Sequence, residues 1–131
     1  MAETKLKPEQ AIDTRTFIGR ISYDTATATG TVAETGVGFR PTLVTFKHAG
    51  IGTIRYSNGE SDGTTNHCSY TPAYSTTTPT WQYEDSKCIV AMNNTDYATA
   101  TCAMNDDGFT LSWTKTNSPT GTIIIHYIAY R

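Results

Sequence analysis

The sequence predicts an all-β fold, an antiparallel β-sandwich of jelly-roll-like character, with a barrel as the alternative. Three observations carry that prediction. Threonine supplies about a fifth of the 131 residues, glycine and tyrosine are plentiful and leucine is scarce, a balance that suits pleated, half-buried surfaces better than helices. Apolar residues recur with period two in short runs. Between the runs stand clusters of Gly, Asn, Asp, Ser and Pro, each a turn former for its own backbone reason.

Met1 to Thr16 is polar, contains Pro8 and has no apolar period. It reads as an arm or connector, and the sandwich as residues 17–131. FIGRISY puts Phe17, Ile21 and Tyr23 on one face, and TATATGTVAE alternates threonine with Ala26, Ala28 and Val32, so two strands are expected. TGVGFRP punctuates a turn, and TLVTFKH returns to a strand with Val44 and Phe46 on one side. From Gly50 to Asp85 a long loop is expected, with only IRY and WQY as short strand candidates. KCIVAM, YATATCAM, GFTLSWT and TGTIIIHYIAY then read as four strands ending the domain as an antiparallel meander. In the third of these, Phe109, Leu111 and Trp113 form a packing face. In the last, Ile123, Ile125 and Tyr127 lie on one face and Ile124, Ile128 and Tyr130 on the other. A strand apolar on both faces expects two covers, and Ile124, Ile128 and Tyr130 are the candidate subunit interface.

The net charge of −2 and the lack of any Lys/Arg cluster argue against nucleic acid or a membrane surface as partner. No apolar run approaches the roughly 18 residues of a membrane span. The N-terminus, MAETKLKPEQ, lacks the apolar stretch of a signal peptide, which points to synthesis in a cytoplasm. Cys68, Cys88 and Cys102 form no CxxC and leave an odd residue over. Buried, reduced thiols are expected, with a Cys68–Cys88 bridge as the alternative.

GESDG, residues 59–63, has the spacing of a hydrolase nucleophile elbow around Ser61. An elbow requires a helix after the serine, whereas TTNHCSYTPAYSTTTP follows, with two prolines and dense β-branching. Ser61 therefore reads as part of an exposed glycine-rich loop, and Asp107 and His126 downstream do not make it a triad. No catalytic residue is assigned. His48, His67 and His126 with Cys68 lack the paired spacing of a zinc site, and His48 and His126 read as structural histidines. NDDG, 105–108, offers oxygen ligands but no EF-hand pattern, so it reads as a turn. No metal and no cofactor is expected.

SYTPAYSTTTPTWQYED concentrates Tyr70, Tyr74, Trp81 and Tyr83 among threonines and prolines. Aromatic faces beside hydroxyls suit stacking on sugars or anchoring a protein partner, so these four are the candidate ligand-binding residues.

Two stretches, TGVGFRPTLVTFKHAG (35–50) and DDGFTLSWTKTNSPTGTIIIHYIAYR (106–131), together resemble the opening and closing signatures of a β-sandwich module of tailed-bacteriophage structural proteins. The shared features are Gly38-Phe39-Arg40-Pro41 before Leu43, Val44 and Phe46, and Asp107-Gly108-Phe109 before the aliphatic-aromatic run Ile123 to Tyr130. They span about a third of the chain and look like framework. The resemblance implies a non-enzymatic virion component, a head decoration protein or tail-fibre tip, assembling with itself as a homotrimer and with capsid or tail proteins. The alternative, read from the aromatic segment 70–83 itself, is an adhesin module that binds a host surface glycan or receptor through that loop.

Overall fold

The computed structural model describes residues 15–50, 56–71, 81–93 and 95–131. Among the described residues, ten strands form two antiparallel sheets packed face to face and not closed into a barrel. They are β1 (Thr16–Asp24), β2 (Gly30–Glu34), β3 (Leu43–Gly50), β4 (Ser57–Ser61), β5 (Asn66–Tyr70), β6 (Gln82–Glu84), β7 (Ile89–Asn93), β8 (Asp96–Asn105), β9 (Gly108–Thr116) and β10 (Thr122–Tyr130). One sheet runs β1-β10-β3-β4-β5-β6 and the other β2-β9-β8-β7. The starts of both orders, β1-β10-β3 and β2-β9, follow a jelly roll. Beyond them β4 to β6 and β7 to β9 are local meanders that stay within their own sheets.

Pairing begins inside the stretch read as a connector: Thr16 faces Tyr130, and the Arg131 amide donates to the Arg15 carbonyl. Residues 1–14 of that stretch lie outside the described residues.

The long loop expected between Gly50 and Asp85 is instead largely sheet. SNGES forms β4 and NHCSY forms β5, and the expected WQY strand appears as β6, Gln82–Glu84. Tyr56 precedes β4, and the rest of IRY lies outside the described residues. The reason is the inward side chains. β4 and β5 alternate buried and exposed as any half-buried strand does, but the buried positions hold Ser57, Gly59, Ser61, Asn66 and Cys68. A hydrophobic period cannot register them. Their polar atoms are satisfied across the sandwich: Val90 N donates to Ser57 Oγ (3.3 Å), and Cys102 N donates to Asn66 Oδ1 (3.0 Å), as burial of such groups requires.

The closing meander is also shorter than expected. β7, β8 and β9 form one, but β10 crosses to the other sheet and lies between β1 and β3. Its two-faced apolar pattern suits a central strand.

The core fills the space between the sheets. Val44, Phe46, Ile123, Ile125 and Tyr127 meet Ala98, Ala100, Phe109, Leu111 and Trp113. The Phe109 ring stands edge-on to both Phe46 (5.5 Å between centroids) and Tyr127 (4.9 Å), and Tyr23 stacks flat on Trp113 at 3.8 Å. Burying each such ring contributes on the order of 1.5–3 kcal/mol. The NDDG turn forms between β8 and β9 as expected, and Asp107 does more than turn. Its carboxylate accepts from Gly36 N (2.9 Å) and Gly38 N (2.8 Å), two glycines with φ of +83° and +89°. Those two bonds hold the carboxyl below its ordinary range and fix the turn that delivers buried Val37 and Phe39 to the core.

Candidate functional site: the outer face of the six-stranded sheet

Strand alternation sends every second residue of the six-stranded sheet away from the core. The register arranges these outer residues in cross-strand rows. One row reads Arg20, His126, Lys47, Asn58, Ser69, Tyr83 from β1 to β6. On one side of it lie Ser22, Ile124 and Ala49, with Tyr56 and Trp81 beyond. On the other lie Ile18, Ile128, Thr45, Glu60 and His67, followed by Tyr130 opposite Leu43. The outer face is thus divided into an aromatic end, a polar and basic middle and an aliphatic end.

At the aromatic end is an open cleft of about 430 Å³, within the size range of small-ligand sites. Its apolar lining includes Tyr56, Trp81, Ala49 and Ile124, and Lys47, Asn58 and His126 border them. The Tyr56 and Trp81 rings lie 5.5 Å apart at 60°. They are 49% and 60% exposed, so neither is committed to the core.

The four aromatic candidates separate. Trp81 lines the cleft. Tyr83 is exposed on the same face, two residues on, beside a smaller hollow with Glu60, His67 and Asp85, where His67 Nδ1 lies 3.2 Å from Asp85 Oδ1. Tyr70 falls on the opposite side of β5, sharing the inward alternation of Asn66 and Cys68, and its hydroxyl donates to Gln82 Oε1 (2.9 Å). Tyr74 lies outside the described residues. Sequence reasoning missed Tyr56, Lys47, Asn58 and His126, because it treated the aromatic loop as a contiguous unit. The only available signal was the polar run SNGES next to Tyr56, and it held no apolar period.

The interface candidates also divide. Ile124, Ile128 and Tyr130 share the outer face and are each half-buried. However, His126 stands between Ile124 and the other two, and Ile124 belongs to the cleft. The second cover expected over β10 is not supplied by this chain's described residues. Ile128 and Tyr130 instead join Leu43 and Ile18, which is 76% exposed.

Ser61 is not in an exposed loop. It ends β4 with its side chain turned inward and is 1% exposed. Its Oγ accepts from Gly63 N (3.0 Å), and it lies beside the Cys102 thiol. Both glycines of GESDG have structural roles. A Cβ on Gly59 would collide with the Cys88 carbonyl, and Gly63 has φ of +93°.

His48 is buried, with Nε2 2.8 Å from the Val90 carbonyl, in keeping with a structural histidine. His126 is exposed on the outer face. All three cysteines are buried and free. Burial pushes Cys68 and Cys102 up to about 12 and Cys88 up as well, so none is a thiolate near neutrality. Among the described residues no three His, Cys, Asp or Glu side chains gather as a metal site.

No protein-family model, curated protein or solved structure matches this chain significantly.

Proposed function

We propose that the protein is a non-enzymatic virion structural protein of a tailed bacteriophage, a head decoration or tail-fibre-type appendage that assembles through the outer face of its six-stranded sheet. One observation supports this most: the aliphatic end formed by exposed Ile18 and half-buried Ile128, Tyr130 and Leu43 is not covered by the described residues. Apolar surface of this kind, bordered by polar residues, is what association surfaces present. The resemblance of residues 35–50 and 106–131 to phage modules supplies the virion context and the expected number of three. Light scattering coupled to gel filtration should give a trimer that persists on dilution. The double variant Ile18→Asp, Ile128→Asp should be monomeric with its strand content intact. A wild-type monomer at high concentration removes the assembly. Gold-tagged antibody on purified particles then separates head from tail.

A second reading, a glycan-binding adhesin, is favoured by one observation. Tyr56 and Trp81 stand half-exposed side by side over a cleft, and solvent-exposed ring pairs of this kind are suited to stacking.

A further inference from the structure

We infer that the cleft takes a carboxylate-bearing saccharide, a uronic or sialic acid, with Tyr56 and Trp81 as the stacking corner and Lys47 and His126 as the carboxylate-facing edge. This rests on the second reading above and adds the ligand's charge. Three observations carry it.

The first is the cross-strand row. Arg20, His126 and Lys47 are direct neighbours on β1, β10 and β3. Three basic-type side chains abreast repel one another when charged, an arrangement that stabilises only an anion placed over it. Among the described residues none of the three forms an ion pair. The second is the distribution of acid. Of the described residues that line the cleft, none is Asp or Glu, although the whole chain is net negative. Glu60 and Asp85 line the neighbouring hollow beside Tyr83, so the two depressions differ in sign.

The third is the backbone. The cleft lies on the face of β10, β3 and β4, each paired along both edges. These three strands offer a peptide no unpaired main chain to extend the sheet. A pyranose needs none: its C–H face stacks on the rings while hydroxyls reach Asn58 and a carboxylate reaches Lys47. A cleft of about 430 Å³ is in keeping with a ligand of that size.

The test is titration of the full chain with 3′-sialyllactose beside lactose, and trigalacturonate beside its carboxyl-reduced form, followed by tryptophan fluorescence. Trp113 is buried against Tyr23, so the signal belongs to Trp81. At least one acidic sugar should bind about tenfold tighter than its neutral counterpart, the effect of one charge-assisted hydrogen bond. Lys47→Gln should remove that preference, and Tyr56→Ala should weaken acidic and neutral forms alike, both with unchanged melting temperature. Equal binding of acidic and neutral forms overturns the charge assignment and leaves the saccharide reading standing. Binding of none of the four overturns both. A glutamate-rich peptide that binds as tightly as the acidic sugar also overturns it, making the occupant an acidic chain.

Discussion

At the residue scale, His48 shows how a side chain that looks available for chemistry is used for packing. The ring is 4% exposed, and its Nδ1 has no hydrogen-bond partner among the described residues. With Nε2–H donating to Val90 the neutral ring is accommodated, but a protonated one would bury an unpaired N–H and a charge. Burial accordingly lowers its pKa below the ordinary 6.5. A histidine depressed in the folded state leaves stability unaffected above about pH 6.5 and removes it as pH falls from there through the folded value. Thermal melts between pH 8 and 5 should therefore decline below pH 6.5, and His48→Gln should flatten that decline. Equal slopes in the two proteins would mean that His48 is not the sensor. The sequence placed His48 correctly as structural, because it follows Val44 and Phe46 at period two. It could not place Ser61, which turns inward on β4 beside Cys102, a residue 41 positions later.

At the scale of elements, β4 is informative because it is a strand without apolar residues. Its inward positions are small, and the opposing β7 comes close: a Cβ at Gly59 would meet the Cys88 carbonyl just before β7. Gly59→Ala should cost about 1–3 kcal/mol in urea denaturation, the usual penalty of forcing atoms into a close-packed site. A change within a few tenths would mean that the two strands separate easily. The strands with strong apolar alternation, β1, β3, β9 and β10, were legible from the sequence. Those with small polar interiors were not, since Ser, Gly and Asn look the same in a strand interior and in a loop until the opposite sheet is known. The cleft suffered the same way: Trp81 was legible as an aromatic, but Tyr56, Lys47 and His126 meet it only through pairing of β10, β3 and β4.

At the scale of the whole molecule, the first and last described strands lie side by side. Among the described strands β1 pairs only with β10, whose first residues lie about a hundred positions away, and β10 is also the sole partner of β3 on that side. Deleting residues 122–131 should abolish cooperative unfolding followed by circular dichroism, rather than merely lower the midpoint, because it splits the six-stranded sheet and opens the core over Phe109. A truncated chain that still melts cooperatively would show β3 to β9 to be self-sufficient. Such long-range pairing also predicts slow folding, since loop closure precedes any gain from contact. By itself the sequence determined the all-β class, the packing faces of the apolar strands and the turn at Asp107, because period-two hydrophobicity and turn chemistry are local properties of the chain. Only the tertiary structure decided which sheet β10 joins, that Ser61 is interior, and that Lys47, His126, Tyr56 and Trp81 share one cleft, because strand register brings together residues that no local pattern relates.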